Sequence, residues 1–177
     1  MPLWGSLVLV ATSIKYYSLF TINYSLTSLI FHFIIFHLKF MTLLERLNTS
    51  DRFASGIGAQ LVEVREGYAR AELTVEDRHL NAAGVCQGGV IYTLADLAFA
   101  GVCNSHGTLT LGVNTSISFM KSAQLGEKII AEATEVLDHH KLPYCDIRVR
   151  NEQGEVLAGM TGLGYRTRKD YEFDALM

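Results

Sequence analysis

From residue 42 onward the apolar positions fall into short runs of two periods. Residues 42–50 repeat at helical spacing and predict a short helix. Ile57 to Val64 and Tyr68 to Val75 predict two strands, turned at Glu66-Gly67. In the second, Ala69, Ala71, Leu73 and Val75 alternate with Arg70, Glu72 and Thr74, so one face is buried and the other is wet. A loop is predicted from Glu76 to Gly88. Gly89 to Ser105 then carries Val90, Ile91, Leu94, Leu97, Ala98, Phe99 and Val102. That is apolar almost all round and predicts a helix covered by other elements. Asn104 to Gly107 ends it, with Gly107 suited to a left-handed cap. Leu109 to Met120, Lys128 to Leu137, and a hairpin of Tyr144 to Arg150 with Val156 to Arg166 predict four more strands. Two strands, one long apolar helix and four strands predict an α+β domain, with one curved antiparallel sheet wrapped around one central helix. The helix face that a single sheet leaves bare, and the sheet edge, predict a dimer.

Composition divides the chain near Met41. Lys15 and Lys39 are the only charged residues of 1–40, which are rich in Phe, Tyr, Ile, Leu and Ser. Three readings compete for this segment. Residues 16–38 have the length of a membrane helix but carry several polar side chains. A signal peptide lacks its basic start and its small-residue cleavage pattern. A hydrophobic extension outside the working protein agrees best with the ordinary amphipathic opening Met41-Thr42-Leu43-Leu44-Glu45-Arg46-Leu47. The expected organisation is therefore an extension over 1–40 and one folded domain over 41–177.

Charge and cysteine content narrow the function. A formal net charge of -3, with no basic face, excludes a nucleic-acid partner. The odd number of cysteines (Cys86, Cys103 and Cys145) argues against a disulfide framework and predicts a reducing, cytoplasmic setting. No His/Cys spacing resembles a zinc site, and neither metal nor cofactor is expected. His139-His140 reads as a surface loop pair.

One charge stands apart. Of the 42 residues between Arg78 and Lys121, only Asp96 is Asp, Glu, Lys or Arg. It sits mid-helix in Leu94-Ala95-Asp96-Leu97-Ala98. A carboxylate buried there is costly unless something holds it. Either it ties down a neighbouring loop, or it is a catalytic carboxylate on a rigid element. Gly88-Gly89 opens the same helix. First-turn amides have no internal partner and carry the positive end of the helix dipole, and glycine lets a ligand oxygen come close. This predicts an oxyanion hole, or else only a tight turn. Gly89 and Asp96 lie about 10 Å apart along the axis, and the Asp96 side chain leans back toward the helix start, so it can approach a carbonyl held at the glycine amides, directly or through one water, if a partner chain supplies the opposite wall.

These residues carry a resemblance. Leu80-Asn81-Ala82-Ala83-Gly84-Val85-Cys86-Gln87-Gly88-Gly89, Leu94 to Ala100, and Ile117-Ser118-Phe119-Met120 before Ala123 and Leu125-Gly126-Glu127 resemble the phenylacetate-pathway (PaaI-like) hotdog thioesterases over about residues 45–168. The resemblance implies hydrolysis of acyl-CoA thioesters, aryl or hydroxyaryl ones included, in a tetramer of two dimers. It implies that Asp96 is nucleophile or general base and that the Gly88 amide polarises the thioester carbonyl. It also implies that Asn81 places the carbonyl or the attacking water, with Asp96 and Gly88 meeting across the dimer interface. Gln87, Gly89, Thr115 and Ser116 are the expected substrate contacts.

Two positions depart from that pattern. Gln87 stands where relatives often have His, and it cannot act as an acid. Gly112 stands where some carry Ser, so a hydroxyl would come from Thr110, Thr115 or Ser116. Lys121, Arg148, Arg150, Arg166 and Arg168 are basic groups for the CoA phosphates, and Phe53, Tyr92 and Phe99 are candidates for the acyl pocket. A hydratase of this fold would need a histidine on the central helix, and His79 and His106 flank it instead. A non-catalytic acyl-CoA sensor is the alternative in a different functional class.

Overall fold

The structure is a computed structural model that describes residues 42–170. The expected extension, with its membrane-helix reading, lies outside the described residues. Among the described residues no helix is long and apolar enough to cross a membrane.

The elements are α1 (Leu43–Ser50), α2 (Arg52–Gly56), β1 (Gln60–Arg65), β2 (Tyr68–Thr74), a 3-10 turn (Asp77–His79), α3 (Gly88–Asn104), β3 (Thr108–Phe119), β4 (Lys128–Leu137), β5 (Tyr144–Asn151) and β6 (Val156–Asp170). The six strands form one sheet in the order β1-β2-β4-β5-β6-β3, every neighbour antiparallel. This is the hotdog layout, a curled sheet around a central helix, and it matches the expected fold class.

The expected strand from Ile57 to Val64 is corrected at its start. Asp51 Oδ1 accepts the N–H groups of Phe53 at 3.1 Å and Ala54 at 2.9 Å, so residues 52–56 form α2, and the strand begins only at Gln60. Capping by Asp overrides the weak strand pattern there. Upstream, Thr42 and Glu45 make a reciprocal capping box that starts α1.

Small residues let α3 sit close to the sheet. Ala69 and Ala71 of β2 and Ala131 and Ala133 of β4 are fully buried beneath it. A Cβ on Gly101 would lie 2.8 Å from Ala69 Cβ, and one on Gly162 would lie 2.6 Å from the Phe99 ring. Both glycines are required by close approach. The far end of α3 is tied to β3 by the buried Asn104. Its Nδ2 donates to Ala100 O and Thr110 O, at 2.9 and 3.1 Å, and its Oδ1 accepts from Thr110 N at 2.8 Å. Gly107, at φ 78°, takes the left-handed turn. Together these contacts set the height and rotation of the helix that carries Asp96.

Candidate active site

The N-terminal half of α3 faces an open cavity of about 540 Å³, lined by Asp51, Phe53, Ile57, Gln87, Gly89, Val90, Tyr92, Thr93 and Asp96. Asp96, Gln87 and Gly89 thus share one cavity. Asp96 makes no hydrogen bond or ion pair among the described residues, so neither a loop nor a base neutralises it. Its expected burial is corrected, because in the single chain Asp96 is exposed at the cavity. Protein atoms around the helix still strip part of its hydration, and this desolvation, followed by repulsion from Asp51, raises its carboxyl above the usual range.

Gln87 is the N-cap of α3, and its side-chain oxygen accepts the Gly89 N–H. The Val90 N–H is bonded to Gln87 O at 2.9 Å. Of the first-turn amides, the Gly88 N–H has no hydrogen bond among the described residues, and it is the one left for a ligand oxygen. Gly89 is therefore a wall of the cavity whose own amide is taken. The Phe119 ring lies against Gly88, where a Cβ would sit 3.2 Å from Phe119 Cζ.

Asn81 lies outside this cavity. Its Oδ1 accepts from Ala83 N at 2.8 Å and Val85 N at 3.3 Å, which folds the loop before α3, while Nδ2 remains an exposed donor. Thr115 reaches the cavity wall through Tyr92, with the two hydroxyl oxygens 2.5 Å apart. Ser116 is exposed on β3, opposite Thr161 of β6. Thr110 is buried, and its hydroxyl is spent on Thr108 O at 3.0 Å. Gly112 faces Phe99, where a Cβ would lie 3.1 Å from Cε1. Of the three expected acyl-pocket aromatics, Phe53 and Tyr92 line the cavity and Phe99 is core.

Other expected groups are already engaged. Arg166 pairs with Glu135 at 2.7 Å and with Asp138, and its side chain is only 10% exposed. Lys121 pairs with Glu155 and Arg148 with Asp146. His106, Glu135 and Asp138 are grouped as metal ligands would be, but Arg166 holds both carboxylates. His139 accepts two loop amides, from Lys141 and Leu142. All three cysteines are free and buried, with Cys103 and Cys145 sulfurs 3.6 Å apart. Sequence reasoning missed Asp51, Ile57, Val90 and Thr93 as cavity residues. Only Asp51 carried a signal, its position as an N-cap.

A family model described as the thioesterase superfamily matches residues 83–158. The chain is 43% identical over 122 residues to an Archaeoglobus fulgidus protein provisionally named an esterase, covering 69% of this chain and 79% of that one. Over 117 residues it is 30% identical to the acyl-coenzyme A thioesterase PaaI of Escherichia coli, covering 66% and 84% of the two chains. The chain belongs to the thioesterase superfamily. The solved structure of the E. coli PaaI protein superposes with a TM-score of 0.65 at 26% identity, over 73% of this chain and 99% of its own. A Streptococcus mutans protein solved with acetyl-CoA bound gives a TM-score of 0.61 at 27% identity, over 64% and 91%. The hotdog fold and the thioester hydrolase read from the sequence both rest on these relationships as well.

Proposed function

We propose that this chain hydrolyses acyl-CoA thioesters to a free acid and CoA, with Asp96 as base or nucleophile and the Gly88 N–H as the oxyanion donor. The observation that carries the reading is a carboxylate on the cavity with no partner among the described residues, on the same helix whose first turn leaves the Gly88 amide without one. A thiolate leaves readily near neutral pH, so the site needs only an oriented nucleophile and a stabilised oxyanion. Asp96 serves either by taking a proton from water or by attacking the carbonyl to form an anhydride.

Asp96 lies eight residues beyond Gly88, about 12 Å along the axis of one helix, and a dimer would join Asp96 of one chain to Gly88 of another. β3 is the natural seam. It is an edge strand twelve residues long and carries exposed Leu111, Val113 and Phe119. Across that seam the free Nδ2 of Asn81 is a donor for the carbonyl or the attacking water, and Ser116 is a substrate contact. Gln87 acts by fixing the helix start. Phe53, Ile57, Val90 and Tyr92 form an apolar wall that suits an aryl or hydroxyaryl acyl group. Residues 1–40 are dispensable on this reading.

The test is thiol release from a panel of alkyl and aryl acyl-CoAs. Asp96→Asn lowers turnover at least ~100-fold, as loss of a general base does, with circular dichroism unchanged. Full activity in that variant would remove Asp96 from the mechanism. Binding without release by the wild type would turn the reading to a sensor. A chain begun at Met41 keeps wild-type turnover.

A further inference from the structure

The cavity holds a second carboxylate that the proposed chemistry does not use. Asp51 stands at the junction of α1 and α2, and its Oδ1 is fixed by the Phe53 and Ala54 amides. Its Oδ2 makes no hydrogen bond or ion pair among the described residues. Among the described residues the cavity lining contains Asp51 and Asp96 and no Lys, Arg or His. Besides Gln87, Gly89 and Thr93, the rest of the lining is Phe53, Ile57, Val90 and Tyr92. Two carboxylates without a paired base, beside apolar surface, make a field that favours one sign of guest.

Building on the function proposed above, we infer that Asp51 is a specificity-determining residue that restricts the site to acyl groups without negative charge. An acyl chain ending in a carboxylate would bring a third anion into a space whose described lining in one chain offers no cation. An uncharged chain of the same shape meets the apolar and neutral polar lining, and a hydroxyl or amide on it finds an acceptor in Asp51 Oδ2. Lost hydration is the main reason the Asp96 carboxyl lies above its ordinary value, and repulsion from Asp51, on the same cavity lining, adds to it. Asp51 also caps α2, so a structural role must be separated from this one. Asparagine keeps the cap, because its side-chain oxygen accepts the same amides.

The experiment compares succinyl-CoA with succinamoyl-CoA, which have one shape and differ in charge. The wild type is expected to favour the amide in kcat/KM at least ~100-fold, the size of a like-charge contact within a few ångströms at intermediate dielectric. Asp51→Asn is expected to narrow that ratio at least ~10-fold, mainly through KM of the charged substrate. Equal use of the two by the wild type, or a ratio unmoved in Asp51→Asn, would overturn the inference. A purely structural Asp51 would slow both substrates alike. Calorimetry of the same two ligands on Asp96→Asn and on Asp96→Asn with Asp51→Asn reads the discrimination without turnover. If no acyl-CoA is hydrolysed but the amide still binds more tightly in an Asp51-dependent way, the catalytic reading fails and this one stands.

Discussion

At the scale of the residue, Asp96 is a carboxylate whose ionised form is disfavoured by lost hydration and by Asp51. Two expectations follow. If Asp96 works as the base, kcat/KM falls on the acid side with a limb above the ordinary carboxylate range, and Asp51→Asn moves that limb to lower pH. A pH–rate profile of the two proteins checks both. Asp51 and Tyr92 are the other titratable side chains of the cavity, and only Asp51 acts on Asp96. The effect on stability has the opposite sense. A folded-state pKa raised above the unfolded value contributes stability that is complete below the unfolded pKa and lost as pH rises through the folded one. Asp96→Asn is therefore expected to raise Tm at pH 7, with the gap closing in acid, as thermal melts across pH would record. The lone acid was legible because it is the only Asp, Glu, Lys or Arg among the 42 residues between Arg78 and Lys121. Its exposure was not legible, because accessibility depends on which helix face the sheet leaves open.

At the scale of the element, α3 is placed by contacts that no periodicity announces. Gly162 and Gly101 make room for Phe99 and for β1–β2, and each would place a Cβ within 3 Å of a neighbour. Gly162→Ala is expected to destabilise the fold by about 1–3 kcal/mol, as overpacking does, measured by urea unfolding. It should also lower turnover, because the displaced helix carries Asp96. The catalytic donor is tested on the same helix. Gly88 is the first helical residue after the Gln87 cap, where proline is tolerated; it removes the N–H and adds a Cβ that the Phe119 ring, 3.2 Å away, must give way to. Gly88→Pro is expected to lower kcat about 100- to 1000-fold, the usual cost of one oxyanion donor, with helix content retained. The long elements were legible to within a few residues, since each keeps one period over many positions. The five residues of α2 were not, since so short a helix is made by its cap rather than by its pattern.

At the scale of the whole molecule, the proposed site requires two chains, and this makes it testable by mixing. Asp96→Asn and Gly88→Pro each inactivate both sites of their own dimer. A hybrid dimer has one site with both defects and one with neither. Exchanging the two inactive proteins should recover about a quarter of wild-type activity by random pairing across a two-fold interface. No recovery despite proven subunit exchange would place Asp96 and Gly88 in separate sites or in one chain. Val113→Lys on the exposed edge of β3 is expected to shift sedimentation toward monomer and abolish turnover together.

The sequence by itself determined the order of the long elements, the central apolar helix, the solitary acid and the glycine pair at the helix start. Each of these is a local property, written in periodicity, capping chemistry or the absence of other charges. Only the tertiary structure decided that Asp51 joins Asp96 on one cavity, that Gln87 rather than a ligand takes the Gly89 amide, that Asn81 folds its own loop, and that Phe99 is core while Phe53 is wall. Those facts depend on which distant side chains the curled sheet brings within a few ångströms of each other. The linear pattern leaves such pairings open, because many arrangements bury the same apolar residues and only close packing selects one of them.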